Sequence, residues 1–275
     1  MLRAVRPTSP RPEVSDVAWQ TVTALVERWQ RQPQSFVGLD EAAALAGYEA
    51  THFAKLFRQV VGMPPSAYVR GLRLERAALR LEDPGVSITQ VAEEAGYGGA
   101  AAFSKAFRRR FGCAPRTFRA APAAPSPSVC PAALSWPERA VVERSFEGWG
   151  LPCTPDPESM GPAMEAVRIE DAEPDSLGAL AQPWGWSHMA GRPEYVAVQL
   201  TRRRPVPRPL WPVWMPRRTW LRVDWTGEPW SIGPAIVWVH GEGLRSLGRL
   251  AGFAPTLTFF RADGSLRVWI PLRAT

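Results

Sequence analysis

The feature that most constrains this chain is a stretch from Asp40 to Phe118 in which one pattern is written twice. The first copy carries Ala46-Gly47-Tyr48, then Phe53-Ala54-Lys55-Leu56-Phe57, then Gly62, Pro65 and Tyr68. The second carries Ala95-Gly96-Tyr97, then Phe103-Ser104-Lys105-Ala106-Phe107, then Gly112, Pro115 and Phe118. From Phe53 to Tyr68 every match falls 50 residues later, whereas the Gly-Tyr pair falls 49 later, so the second turn holds one extra residue. Two copies make a tandem pair and exclude a solenoid, which needs at least three.

Each copy reads as helix, glycine turn, helix. Asp40 is the expected N-cap of a short helix ending at Ala46, and Gly47 supplies the left-handed residue that stops it. In the next helix Phe53, Leu56, Phe57 and Val60 form one apolar stripe at helical spacing. Thr51, Lys55 and Arg58 lie nearly opposite, with His52 beside them. The second copy repeats this with Phe103, Ala106 and Phe107 inward and Ala101, Lys105 and Arg108 outward; Arg110 stands at the counterpart of Val60. A short helix, a tight turn and a second helix with a basic outer face suit the major groove of DNA. The chain has 33 basic residues and only two are lysine, Lys55 and Lys105, at matching positions of the two outward faces. Two solvated lysines would mean little alone; inside a matched repeat they read as DNA contacts. The run Arg108-Arg109-Arg110 is expected to grip phosphate, which positions a protein without specifying sequence.

These residues resemble the DNA-binding domain of AraC/XylS-type transcriptional regulators. The second copy carries the closest motif, Ile88-Thr89-Gln90-Val91-Ala92-Glu93-Glu94-Ala95-Gly96-Tyr97 followed by Phe103 to Pro115, and Arg73-Leu74 with Ala77-Ala78 fill the family's linking-helix pattern. The resemblance covers about Val14 to Arg119 and implies an all-α domain with two recognition helices. Its DNA-contacting residues would be Thr51, His52, Lys55 and Arg58, and Ala101, Ser104, Lys105, Arg108 and Arg109. Ala100, Ala101 and Ala102 stand where the family often carries longer polar side chains, so the second helix is expected to read bases less than the first.

Charge supports this placement. Residues 1–120 hold 17 basic and 11 acidic side chains, a balance of +6; the remainder holds 16 and 15, a balance of +1. A polyanion-binding half is expected to carry the excess. Residues 1–13 read as a flexible arm without a signal sequence, and no stretch reaches the ~18 apolar residues of a membrane helix. The unpaired spacing of Cys113, Cys130 and Cys153 suits a reducing compartment, so a cytoplasmic protein without a metal site is expected. The linking segment from Pro65 to Glu82 reads as one helix spanning about 25 Å, enough to set two readers on successive grooves. Residues 120–133 contain four prolines and no charge, and mark a domain boundary.

Beyond this linker the character changes, with 11 of the 13 tryptophans. Strand-like runs are expected at Ala140–Phe146, Leu177–Ala181, Tyr195–Thr201, Thr219–Trp225, Thr256–Arg261 and Leu266–Ile270, with helices near Gly161–Ile169 and over 233–239. Residues 202–216 read as a proline-rich insert. The repeated order strand, helix, strand, strand, the Trp225-Thr226-Gly227 turn and the ending Val268-Trp269-Ile270-Pro271-Leu272 resemble the GyrI-like effector-binding domain. That resemblance implies an α+β domain over 134–275, built as two βαββ-like halves, with an aromatic cleft for drug-like, often cationic molecules. The acid that many members carry near Thr256–Phe260 is missing here.

The expected architecture is therefore multidomain: an all-α double helix-turn-helix domain over 14–119 and an α+β sensor over 134–275. The expected function is a sequence-specific DNA-binding regulator sensing a flat aromatic molecule or delocalised cation. Double-stranded DNA is the expected partner, the effector a second, and RNA polymerase a further one that such a regulator implies. Trp184, Trp186, Trp211, Trp214, Trp225 and Trp230, with Glu228, are the expected ligand residues, because they lie beside Pro and Gly outside the regular runs. Trp220, Trp238 and Trp269 are expected in the core. His52, His188 and His240 have no catalytic partner at a recognisable spacing, so neither an enzyme nor a cofactor is expected. The contrasting reading is a ligand-sequestering or hydrolytic GyrI-like protein acting on electrophiles, with a weakened DNA reader.

Overall fold

The computed structural model describes residues 14–120, 130–136, 141–153, 157–168, 175–181, 195–201, 208, 210–252 and 256–273. The arm and most of the proline linker lie outside these, as do His188, Trp184, Trp186 and residues 202–207 of the insert.

The first half is helical. Helix α1 (Asp16–Arg31) is capped by Ser15, whose Oγ accepts from the Ala18 N–H at 3.2 Å. Two short-helix, long-helix pairs follow: α2 (Leu39–Ala46) with α3 (Ala50–Val61), and α5 (Ile88–Glu94) with α6 (Ala100–Phe111). Helix α4 (Pro65–Arg80) joins the pairs and spans about 24 Å at 1.5 Å per residue; α7 (Pro115–Arg119) closes the half. Pro65 and Pro115 each start a helix, where a missing N–H costs nothing. The Asp40 expectation is corrected: α2 starts from Gly38, and Asp40 sits in its first turn as an acid at the positive end of the helix dipole.

The second half is an antiparallel sheet of β1 (Leu134–Ser135), β2 (Val141–Cys153), β3 (Leu177–Ala181), β4 (Tyr195–Leu200), β5 (Trp211–Trp225), β6 (Thr256–Phe260) and β7 (Leu266–Pro271). Helix α8 (Pro157–Val167) follows β2, and α9 (Gly233–Trp238) follows β5 and runs on into a π-helical turn. The strand order is β1-β5-β2-β4-β3-β6-β7, and β7 pairs back onto β5, so six strands close into a ring. The order strand, helix, strand, strand thus occurs twice, and the two sets meet along β2–β5 and β3–β6. Closure brings backbones close: a Cβ at Gly178 would overlap the Thr258 carbonyl oxygen.

Strand alternation sorts the side chains. On β7, Leu266, Val268 and Ile270 face α9 with Leu221, Val223 and Trp225 of β5. Trp269, at the intervening position, joins Phe146, Trp220 and Phe259 on the other face of the ring. Phe146 meets Trp220 edge-on at 5.1 Å between ring centroids, a favourable quadrupole arrangement.

Strand β5 corrects the insert. Trp211 to Pro216 belong to this 15-residue strand, not to a loop. Pro212 and Pro216 obscure it in the sequence, and they are tolerated because β7 pairs only from Trp220 onward. One side of the early part of β5 is thus an edge, where a missing N–H breaks no ladder.

That edge is covered by α1. Trp19 and Trp211 pack with centroids 5.3 Å apart, and the Gln30 side chain donates to the Pro212 carbonyl at 3.0 Å. Arg31 pairs with Glu147 at 2.6 Å, Arg208 with Asp16 at 2.9 Å, and Arg218 with Glu82 at 3.1 Å. One contiguous core includes Trp29, Phe53 and Phe57 of the first helical pair together with Trp211, Val213 and Met215 of the sheet. The second pair has its own core, built on Leu74, Leu81, Phe103 and Phe107.

Candidate nucleic-acid interface

The first turn is made by Gly47, at φ 74°, with the Tyr48 N–H donating to the Ala43 carbonyl at 2.9 Å. The second uses Gly96 at φ 78°, with Tyr97 donating to Ala92 at 2.9 Å. These left-handed residues satisfy the last carbonyls of α2 and α5 and turn the chain into the long helices.

Along α3, Phe53, Leu56, Phe57 and Val60 are buried as the apolar stripe requires. Thr51, His52, Lys55 and Arg58 are exposed. Along α6, Phe103 and Phe107 are buried, and Ala101, Lys105, Arg108 and Arg109 are exposed; Ser104 is half-buried. Among the described residues none of Lys55, Arg58, Lys105, Arg108 and Arg109 pairs with a carboxylate. A row of uncompensated cations on an exposed helix face is the electrostatic footprint of a polyanion site.

Arg110 leaves that row. It pairs with Glu75 of α4 at 2.7 Å, and the Glu75 side chain is only 3% exposed. The expected phosphate grip of the arginine run therefore reduces to Arg108 and Arg109. A carboxylate on the linking helix draws Arg110 inward, into the place that Val60 fills in the first copy.

The two helices begin differently. Glu49 caps α3 by accepting from the Thr51 and His52 N–H groups, both at 3.0 Å, and these bonds hold its carboxyl below the ordinary range. No side chain caps α6, which starts after Gly98-Gly99. Its first-turn N–H groups thus lack the internal acceptor that Glu49 provides in α3. Glu49 had not stood out in the sequence, although an acid just before an apolar helical stripe is a start signal.

The expected ligand residues are not brought together. Trp211 is 6% exposed and packs on Trp19; Trp225 is 6% exposed in the separate core under α9. Trp225 donates its indole N–H to the Glu228 carbonyl, and the Glu228 side chain is exposed. Both tryptophans are core, because strand alternation, invisible across the prolines, points them inward. Trp220, Trp238 and Trp269 are also buried. Trp214 alone of the set borders a described cleft, and the Arg31 and Arg76 guanidinium carbons lie 5.8 and 5.7 Å from its ring centroid. A cationic ligand would meet two cations there. Trp184 and Trp186 lie outside the described residues, and so does the Trp230 side chain. His240 is half-buried just after α9, where desolvation lowers its pKa, and His52 sits edge-on to Tyr48 at 5.1 Å.

Comparison with known proteins bears on the helical half. A family model described as a helix-turn-helix domain matches residues 42–121. The transcriptional activator RclR of Escherichia coli K12 is 33% identical over 35% of this chain and 34% of its own length. The regulator MtrA of Neisseria gonorrhoeae is 28% identical over 43% of this chain and 41% of its own. A solved AraC-type regulator from Chromobacterium violaceum is 28% identical, covering 38% of this chain and 89% of that one, with a TM-score of 0.33. The chain thus spans about a third to two fifths of the length of these curated relatives. No helix among the described residues is long and apolar enough to cross a membrane. Residues 42–121 form a helix-turn-helix domain, and the relatives that match over this region are transcriptional regulators.

Proposed function

We propose that the whole chain is a one-component transcriptional regulator, reading duplex DNA with α3 and α6 and sensing a small molecule through its sheet half. The observation that carries this is the pair of matched, exposed, uncompensated basic faces. Lys55, with Thr51 and His52 beside it, has the donors to read base edges; Arg58 holds the backbone. On α6 the neighbours of Lys105 are Ala101 and Ser104, so Lys105, Arg108 and Arg109 serve mainly to hold phosphate. The uncapped start of α6 supports the same division, since bare N–H groups favour an anion.

The sheet half supports effector sensing by its position, because it packs on the helix that buries the first reader. RNA polymerase is a partner that this function implies. The reading as a sequestering or hydrolytic protein draws only on the alanines of α6, and the basic faces weigh against it.

The test is a salt titration of the full chain on random duplex DNA, followed by selection of preferred sites. Neutralising about six phosphates gives a slope near −5 in log affinity against log salt. A slope near zero, with no sequence recovered, would end the regulator reading.

A further inference from the structure

The helical half and the sheet leave a cleft of about 560 Å³ between them, a size that accommodates a small organic molecule. Four elements build it: the end of α1 with Arg31, α4 with Arg73, Arg76 and Arg80, α5 with Val91 and Ala95, and β5 with Trp214. The second helix-turn-helix unit, the helix that joins the two units, the helix that covers the first unit and the sheet therefore touch one space.

Its charges do not balance. Arg31 is answered by Glu27 at 2.9 Å and Glu147 at 2.6 Å. Arg80 is answered by Asp83 and Glu94, both at 3.1 Å, which accounts for the two acids lining the cleft. Arg73 and Arg76 have no carboxylate among the described residues. Arg73 donates to the carbonyls of Pro33 and Phe36. Arg76 donates from Nη2 alone, to the carbonyls of Gln30 and Arg31, which leaves Nε and Nη1 without a partner among the described residues. Arg76 is also half-buried, and desolvation disfavours its charged form. A partly buried guanidinium with donors to spare and no counter-ion is costly to keep unless something supplies the negative charge.

Apart from Gln34, the rest of the lining is apolar: Ala77, Leu79, Val91, Ala95, Pro216 and the Trp214 ring. Bare phosphate would gain the arginines and waste these surfaces, and a neutral ring would do the reverse. We propose that this cleft is the effector site, and that it binds a flat organic carboxylate, the anionic end on Arg76 and Arg73 and the body along Trp214. A carboxylate accepts charge-assisted bonds from guanidinium N–H groups, and Arg76 has Nε and Nη1, on different edges of its plane, without a partner among the described residues. The proposal deepens the sensing reading by giving it a place and a ligand charge, where the sequence leads one to expect a flat aromatic molecule or a delocalised cation. One small molecule there would bear directly on the second unit through α5, and on the first through α1, whose core residues pack with it.

The test uses three probes on the full chain without DNA, followed by isothermal titration: 2-naphthoate, naphthalene-2-carboxamide and inorganic phosphate. Naphthoate is expected to bind saturably and at least ten times more tightly than the carboxamide or phosphate. Arg76→Met should weaken naphthoate tenfold or more, Arg76→Lys less, and Trp214→Leu severalfold. If Arg76→Met fails to give a folded protein by circular dichroism, Arg76→Lys and Trp214→Leu decide. Phosphate binding as tightly as naphthoate would make the site a simple anion hole and overturn the organic-ligand assignment. Equal binding of naphthoate and carboxamide, insensitivity to every variant, or no binding of any probe overturns the site. Because no DNA is present, each of these outcomes leaves the DNA titration to stand or fall separately.

Discussion

The two helix-turn-helix units share a pattern and a turn geometry, yet they are held in opposite ways. The first is buried under α1, and its core continues through Trp19 and Trp211 into the sheet. The second closes on itself around Phe103 and Phe107, and spends an ion pair, Arg110 with Glu75, where the first has Val60. Their outer faces differ in the same sense: a capped helix with Thr51 and His52 against an uncapped one with alanines. A duplicated sequence therefore fixes the fold of each unit but not its neighbours, and the neighbours decide what each copy does.

The largest expected effect separates the cores. Phe53→Ala and Phe103→Ala each remove a fully buried ring and should each cost about 3–5 kcal/mol. All 13 tryptophans lie in α1 or beyond residue 135, so the second unit contains none. In urea, Phe53→Ala should lower the tryptophan-fluorescence midpoint. Phe103→Ala should lower the ellipticity transition and leave the fluorescence midpoint nearly in place. An equal fluorescence shift from both would show that the cores are not separate.

A slightly smaller effect concerns the second copy alone. Arg110→Ala takes a cation away from an almost fully buried carboxylate and should cost about 3 kcal/mol. Changing Glu75 to Gln in that variant should restore part of the loss, since a neutral amide tolerates burial better than a carboxylate. No restoration would mean that Arg110 contributes by packing.

How much of this was readable beforehand depends on the range of the contacts. The turns at Gly47 and Gly96 and the stripes of Phe53 and Phe103 are local, so spacing reveals them. Arg110 sat in plain view, but its partner lies 35 residues away on another helix. The cover of α1 on β5 joins Gln30 to Pro212, 182 residues apart, and no local pattern encodes it. One signal was present: α1 buries Trp19, Val22 and Thr23 as well as Val26 and Trp29, a wider arc than a single stripe needs. The tryptophan cleft failed for a related reason. In a sequence prolines signal loops, whereas Pro212 and Pro216 lie on a strand edge that a helix covers.

On DNA, Lys55→Ala should redistribute the selected sequences, with about 1–3 kcal/mol lost at the best site. Lys105→Ala should weaken all sequences alike and reduce the salt slope by about one. Matching losses of sequence preference would reverse the ranking of the two copies.

The smallest effect is a matter of pH. Hydrogen bonds from Thr51 and His52 depress the Glu49 carboxyl, so its capping contribution is complete above the ordinary carboxylate range near 4.5. It is lost as pH falls through that range and the depressed value below it. Protection of the Thr51 and His52 amides, measured against their intrinsic exchange rates, should fall over this window, while the first turn of α6 shows no matching step. Identical profiles would remove the capping difference between the copies.

The core that runs from α3 through α1 into the ring of strands has a consequence for how the molecule comes apart. The prolines mark a boundary in the covalent chain, but the boundary between packed cores lies elsewhere, between the two helix-turn-helix units and along α4. Thermal opening should follow that second line: the distal reader can loosen while the proximal reader and the strands still hold one another. A fragment cut at the prolines would strip Trp19 of Trp211 and expose an apolar face, so the natural minimal piece of this protein is not either half.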